Sequence, residues 1–360
     1  MRSSLTLAAT ASTLFLAACG DGGTTEPPPG EELVCTIPTN QIFAALARDA
    51  IPSLTTPEFT TVANAGFLFG EDRVLGVEIN GEARAYPFGI MWWHEIVNDT
   101  LGGENILVTY CPLTGTGIAF NPNAGGILRS FGVSGLLFQT NLFMFDRESN
   151  SLWNQMLLGS QCGPDRGTDL PRIPIVETTW EDWSNRYPNT TVLTTNTGFG
   201  NRPYFEYPYG NYADENNPSV DFLAPGTTWS SALLPKELVL GVLDGNSATA
   251  YPLNGLADSA VSYVVNDVVG STPVLVLSRA QWNTARAFDR RVNSQTLTFT
   301  LTNNPGPVTM VDAETSSEWD QEGKAISGPL AGQQLAPIED SYTAFWFAWS
   351  IYYPNSKIFK

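Results

Sequence analysis

The stretch Val74-Leu75-Gly76-Val77-Glu78-Ile79-Asn80-Gly81-Glu82-Ala83-Arg84-Ala85-Tyr86-Pro87 decides the reading of the fold. Two short runs rich in strand formers flank Asn80-Gly81, the dipeptide that best suits a type I′ turn, so the stretch reads as a β-hairpin. It returns as Val239-Leu240-Gly241-Val242 and Ala248-Thr249-Ala250-Tyr251-Pro252, with Asp244-Gly245-Asn246 at the turn. The text then repeats in order. Val97-Asn98-Asp99 returns as Val265-Asn266-Asp267. Met144, Asp146, Glu148, Ser151, Trp153 and Gln155 return as Met310, Asp312, Glu314, Ser317, Trp319 and Gln321. Trp180, Trp183 and Tyr187-Pro188-Asn189 return as Trp346, Trp349 and Tyr353-Pro354-Asn355. The chain reads as two tandem homologous lobes from an internal duplication. What both copies keep points to folding, and what one copy alone carries is a candidate for chemistry.

Outward from the hairpin the pattern stays strand-like. Residues 106–110, 118–120, 128–133, 136–138 and 142–145 are short runs of strand formers between turn signals. Residues 180–187 read as a helix capped by Thr178 or Thr179 and stopped by Pro188, with Trp180 and Trp183 on one face. A helix is also expected over 41–49 behind Asn40. The fold class is mainly β with peripheral helices (α+β), the strands forming barrel-like or sandwich-like units.

The expected domain order starts with a signal at 1–18, in which Arg2 precedes the apolar run 5–16. Leu16-Ala17-Ala18-Cys19-Gly20 resembles a lipoprotein box, so Cys19 is the expected site of lipidation by acyl chains such as palmitate. Residues 19–40 form a Gly-, Pro- and acid-rich tether, 41–198 the first lobe, 199–235 a Tyr- and Pro-rich connection, and 236–360 the second lobe. The expected location is the cell envelope, on the outer side of a bacterial membrane, with the membrane as partner through Cys19. A formal charge of −18 argues against nucleic acid, whose phosphates require Lys and Arg. Beyond Cys19, the cysteines Cys35, Cys111 and Cys162 permit one disulfide, in any of three pairings.

His94, the only histidine, falls opposite Ser262 in the second copy, and Cys111 falls opposite Arg279. A thiol at a strand end, followed by Pro112, Gly115 and Gly117, meets backbone N–H groups that can support a thiolate. His94 could serve as its base, with Asp146 or Glu95 orienting the imidazole. A small buried Cys and a core His explain each residue singly. The same two residues are candidate copper or zinc ligands, with Asp146, Met144 or Cys162 needed to complete a site. Asp146, Glu148, Trp153 and Gln155 have counterparts in both copies, which favours a structural role. Arg129 and Arg147 have none and are candidate anion contacts.

The runs Trp93-His94-Glu95-Ile96-Val97-Asn98-Asp99, Thr109-Tyr110-Cys111-Pro112-Leu113-Thr114-Gly115-Thr116 and Phe131-Gly132-Val133-Ser134-Gly135, with Asp146-Arg147 and Leu152-Trp153-Asn154-Gln155, resemble the bacterial domain of unknown function numbered 3179. The resemblance runs from about Ile51 to the C-terminus and implies no established activity. In that pattern a second Cys follows Cys-Pro-Leu. Here the place is Thr114, which argues against a dithiol or two-Cys metal pair. Three functions remain: a lipoprotein with a Cys111–His94 thiol site, a copper- or zinc-binding lipoprotein, and a non-catalytic module binding a glycan or protein.

Overall fold

A computed structural model describes residues 34–200, 202–253, 262–302 and 309–359. The signal, Cys19 and most of the expected tether lie outside them. The described chain from residue 34 onward belongs to one compact unit, so the two halves are parts of a single body. It is mainly β, and its three α-helices have seven residues each among the described residues.

The hairpin forms as read. Arg73–Ile79 pairs with Glu82–Pro87, and Asn80 and Gly81 take φ of 53° and 84°, both left-handed as a type I′ turn requires. Leu238–Asp244 pairs with Ser247–Pro252 in the same register, Gly241 facing Ala250 as Gly76 faces Ala85. Each hairpin gains an antiparallel strand on one side, Val176–Thr179 or Ser341–Phe345, that leads directly into a Trp-bearing helix. In Trp180–Arg186, Trp183 lies against Gly76, where an added Cβ would sit 2.3 Å from the indole. In Trp346–Tyr352, Trp349 lies against Gly241, where an added Cβ would sit 2.0 Å from the indole. Only glycine lets an indole approach the sheet this closely.

A meander follows in each half. Ile96–Leu101, Glu104–Cys111 and Thr116–Phe120 are matched by Tyr263–Val269, Thr272–Arg279 and Thr284–Asp289. A further sheet contains Phe131–Phe138, Asn141–Asp146, Leu152–Asn154 and Gly159–Cys162, matched by Phe299–Leu301, Met310–Asp312, Glu318–Trp319 and Ala325–Ser327. The repeated polar residues hold these sheets together. Asn98 accepts from the Phe131 N–H at 2.7 Å and donates to its carbonyl at 2.9 Å, and Asn266 does the same with Phe299 at 2.8 Å each. Asp146 accepts from Trp153 Nε1 at 2.8 Å, and Asp312 from Trp319 Nε1 at 2.9 Å. Both indoles are fully buried, so each aspartate satisfies an N–H that would otherwise be orphaned.

The halves meet across matching positions. Thr343, opposite Leu240, donates to Glu177, which stands opposite Leu75. A contact between equivalent residues is what an approximate twofold relation would produce. Each half also lends its helix to the other. The Trp346–Tyr352 helix packs into the cluster that contains Cys111, and Phe345 N–H donates to the Thr114 carbonyl at 2.8 Å.

Two local expectations change. The helix over 41–49 does not form. A 3-10 turn at Thr39–Gln41 passes into strand Ile42–Ala44, which pairs with Phe131–Phe138. A nine-residue helix is marginal in isolation, whereas a sheet edge offers the backbone ready partners. The tether also ends sooner than residue 40. Cys35 is disulfide-bonded to Cys162, which selects one of the three pairings and leaves Cys111 free and buried.

Candidate functional site

Cys111 ends strand Glu104–Cys111 and is 1 % exposed. Its thiol points toward the Thr140 carbonyl at 3.9 Å. Burial is the main cause that pushes the thiol up to about 11, and the nearby Glu95 carboxyl raises it further. Hydrogen bonding from the Thr114 hydroxyl and from the Thr114 and Leu142 backbone works in the opposite direction. These are groups a thiolate would use.

His94 does not join it. The last residue of helix Phe88–His94 places Nδ1 2.7 Å from the Pro52 carbonyl and Nε2 2.7 Å from the Tyr204 hydroxyl. A carbonyl can only accept, so Nδ1 carries the proton and Nε2 accepts from Tyr204. Tyr204 in turn lies 2.6 Å from Thr197 Oγ1. Burial is the main cause that lowers the imidazole to about 4, so the ring is neutral at physiological pH. Both nitrogens are occupied, and no hydrogen bond links His94 to Cys111. The expected pair is therefore corrected. Asp146 does not orient His94 either. Its partners are Arg129 at 3.0 Å, Ser149 and Trp153. Arg129 also pairs with Asp165, and Arg147 pairs with Asp49, so each arginine already has an anion.

The group beside the thiol is Glu95. It follows the helix at φ 56°, a left-handed conformation that is strained for a residue other than glycine. The turn separates the surroundings of adjacent residues: His94 meets Pro52 and Tyr204, and the Glu95 carboxyl lies near enough to Cys111 for its charge to act on the thiol. Glu95 is 6 % exposed, and burial alone raises its carboxyl to about 8. Among the described residues no cation or hydrogen-bond donor to that carboxyl is found. In the second half the matching positions hold Tyr263 and Arg279, so this thiol–carboxyl combination belongs to the first half alone.

The Tyr-rich connection covers the site. Tyr207 donates to the Pro112 carbonyl at 2.8 Å and meets Trp92 edge-on at 5.3 Å. The Asp221 carbonyl accepts from Thr140 Oγ1 at 2.6 Å. Tyr209 is near enough to Glu95 and Cys111 for their charges to raise its phenol, after burial. Tyr212 is 5 % exposed, faces the Asp221 backbone outside hydrogen-bonding geometry, and has no partner for its hydroxyl. Lys236 Nζ stands 3.8 Å from the centre of the Tyr212 ring, and burial lowers its ammonium to about 8. The tyrosine run in the sequence was the signal for this cover. Its irregular spacing gave no indication of which tyrosine would face the sulfur.

Among the described residues there is no cluster of three or more His, Cys, Asp or Glu able to hold a metal, and Cys162 is spent in the disulfide. The copper or zinc reading thus lacks a ligand set there. A cleft of about 540 Å³ opens between the halves, lined by Glu78, Glu177, Tyr187, Arg286 and Glu322 among others, and Cys111, Glu95 and His94 do not line it. No helix among the described residues is long and apolar enough to cross a membrane.

These features define a β-rich protein with matching halves and, among the described residues, one free, buried thiol. A family model described as protein of unknown function (DUF3179) matches residues 48–356, and the chain belongs to that family. No curated protein and no solved structure matches it.

Proposed function

We propose that this is a lipid-anchored protein of the bacterial cell envelope, held through Cys19, whose first half performs thiol chemistry at Cys111 with Glu95 as proton acceptor. The observation that carries the reading is the buried Glu95 carboxyl, without a cation partner among the described residues, whose charge acts on the only free thiol among them. A buried ionisable group without a counter-charge costs stability, and such groups concentrate where a shifted pKa is used. A carboxyl at about 8 exchanges its proton near neutral pH, which suits general acid–base work. In this reading the Sγ proton passes to the Glu95 carboxylate. Thr114 and Leu142 support the resulting thiolate, and the connection over residues 202–235 must lift to admit a reactant. His94 acts as a latch for that cover through Tyr204.

The test is the pH profile of Cys111 alkylation by iodoacetamide, wild type against Glu95→Gln. The expected wild-type profile has a step near pH 8, where Glu95 ionises, in addition to the rise toward the thiol's own titration. The step disappears in Glu95→Gln. Superimposable profiles would remove Glu95 from the chemistry.

A further inference from the structure

The position that holds Cys111 in the first half holds Arg279 in the second, and the exchange changes the character of the site. Arg279 ends strand Thr272–Arg279 and pairs with Thr284, as Cys111 pairs with Thr116. Just as the second half's helix closes over Cys111, the first half's helix Trp180–Arg186 closes over Arg279 and supplies Asp182 and Arg186. With Arg286 and Gln321 these residues surround a cavity of about 10 Å³.

Three polar atoms of its lining residues are buried without a partner: Arg186 Nε, Arg279 Nε and Thr284 Oγ1. The Arg186 side chain is 10 % exposed, and Thr284 is 5 % exposed. The charge pairing is uneven among the three arginines. Arg186 is paired with Asp182 and Glu322 at 2.5 Å each, and Arg286 shares Glu322 at 3.0 Å. Arg279 has no carboxylate among the described residues, and its guanidinium reaches only Thr309 Oγ1, at 3.3 Å. Arg279 is thus the one of the three guanidinium groups without a carboxylate partner among the described residues.

We propose that this cavity is a binding site for a single small anion of chloride size, held by Arg279, Arg186 and Thr284. The space open to a water-sized particle is about 10 Å³, which suits a single-atom ion better than phosphate, sulfate or a carboxylate. A water molecule would also fit, yet it accepts only two hydrogen bonds and brings two donors of its own. The unmet groups are two N–H donors and a hydroxyl able to donate, next to the Arg279 guanidinium that has no carboxylate partner among the described residues. A halide accepts from all three and neutralises that charge. The site is independent of Cys111, so it stands whether or not the thiol reading does.

The experiment is ³⁵Cl line broadening on the full chain, titrated with bromide as competitor, for wild type, Arg279→Gln and Thr284→Val. Wild type is expected to broaden the chloride line, with bromide reversing the effect. Each variant loses a donor to the ion, and loss of one charge-assisted bond weakens binding by ~10-fold or more. Thr284→Val retains side-chain volume and charge, so it remains informative if Arg279→Gln fails to fold. Broadening absent in wild type, or equal in wild type and a folded variant, overturns the proposal in favour of a water molecule.

Discussion

Replacing Glu95 by Gln is expected to stabilise the protein at neutral pH. The ordinary carboxyl value of 4.5 is raised to about 8 in the folded chain, with burial as the cause. Between these two values the unfolded chain has released the proton that the folded chain still holds. Stability contributed by this group is therefore complete below pH 4.5 and falls as pH rises toward 8. Each pH unit withheld is worth about 1.4 kcal/mol, so the penalty is about 3 kcal/mol at pH 7 and about 5 kcal/mol above pH 8. Gln cannot ionise and has nearly the same shape. It should recover about 3 kcal/mol at pH 7 and nothing at pH 4. His94 works in the opposite direction: lowered to about 4, it adds stability as pH rises from 4 to 6.5. Urea unfolding between pH 6.5 and 8 therefore isolates the Glu95 slope. If Glu95→Gln is no more stable than wild type at pH 7, or the slope in that window persists in the variant, the carboxyl is ionised and paired in the folded protein. The proton-transfer role of Glu95 then fails with it.

His94→Ala should accelerate iodoacetamide labelling of Cys111 about tenfold, because loss of the Tyr204 bond loosens the cover by about 1–1.5 kcal/mol. Slower labelling in a folded variant would restore His94 as the base of the thiol. In wild type the His94 and Glu95 slopes oppose and nearly cancel between pH 4.5 and 6.5, so in His94→Ala stability should fall as pH rises through that window, measured by denaturant titration at each pH. Gly241→Ala should destabilise by about 3 kcal/mol or more, since its Cβ would enter the space of the Trp349 ring. A melting temperature equal to wild type would show that helix Trp346–Tyr352 can shift outward freely.

Much of the frame was legible in the residues. Asn80-Gly81 announced its hairpin because turn chemistry is local, and Thr179 and Pro188 bounded the helix for the same reason. Asp146 and Trp153 were readable as structural because Asp312 and Trp319 repeat them, and the two pairs make the same bond. The helix expected over 41–49 failed because a non-local sheet edge outcompeted local preference.

The sequence by itself determined the strand pattern, the repeated scaffold and the fact that the first half alone carries a Cys and a His. Tertiary structure alone decided that Cys35 joins Cys162, that the charge of Glu95 acts on the thiol while His94 bonds elsewhere, and that the tyrosine run lies near both. The reason is geometric. Strand and turn preferences act over a few neighbouring residues, whereas one left-handed residue at Glu95 separates the surroundings of adjacent residues. The partners they then meet, Tyr204 for His94 and Cys111 for Glu95, come from chain segments that no local pattern connects.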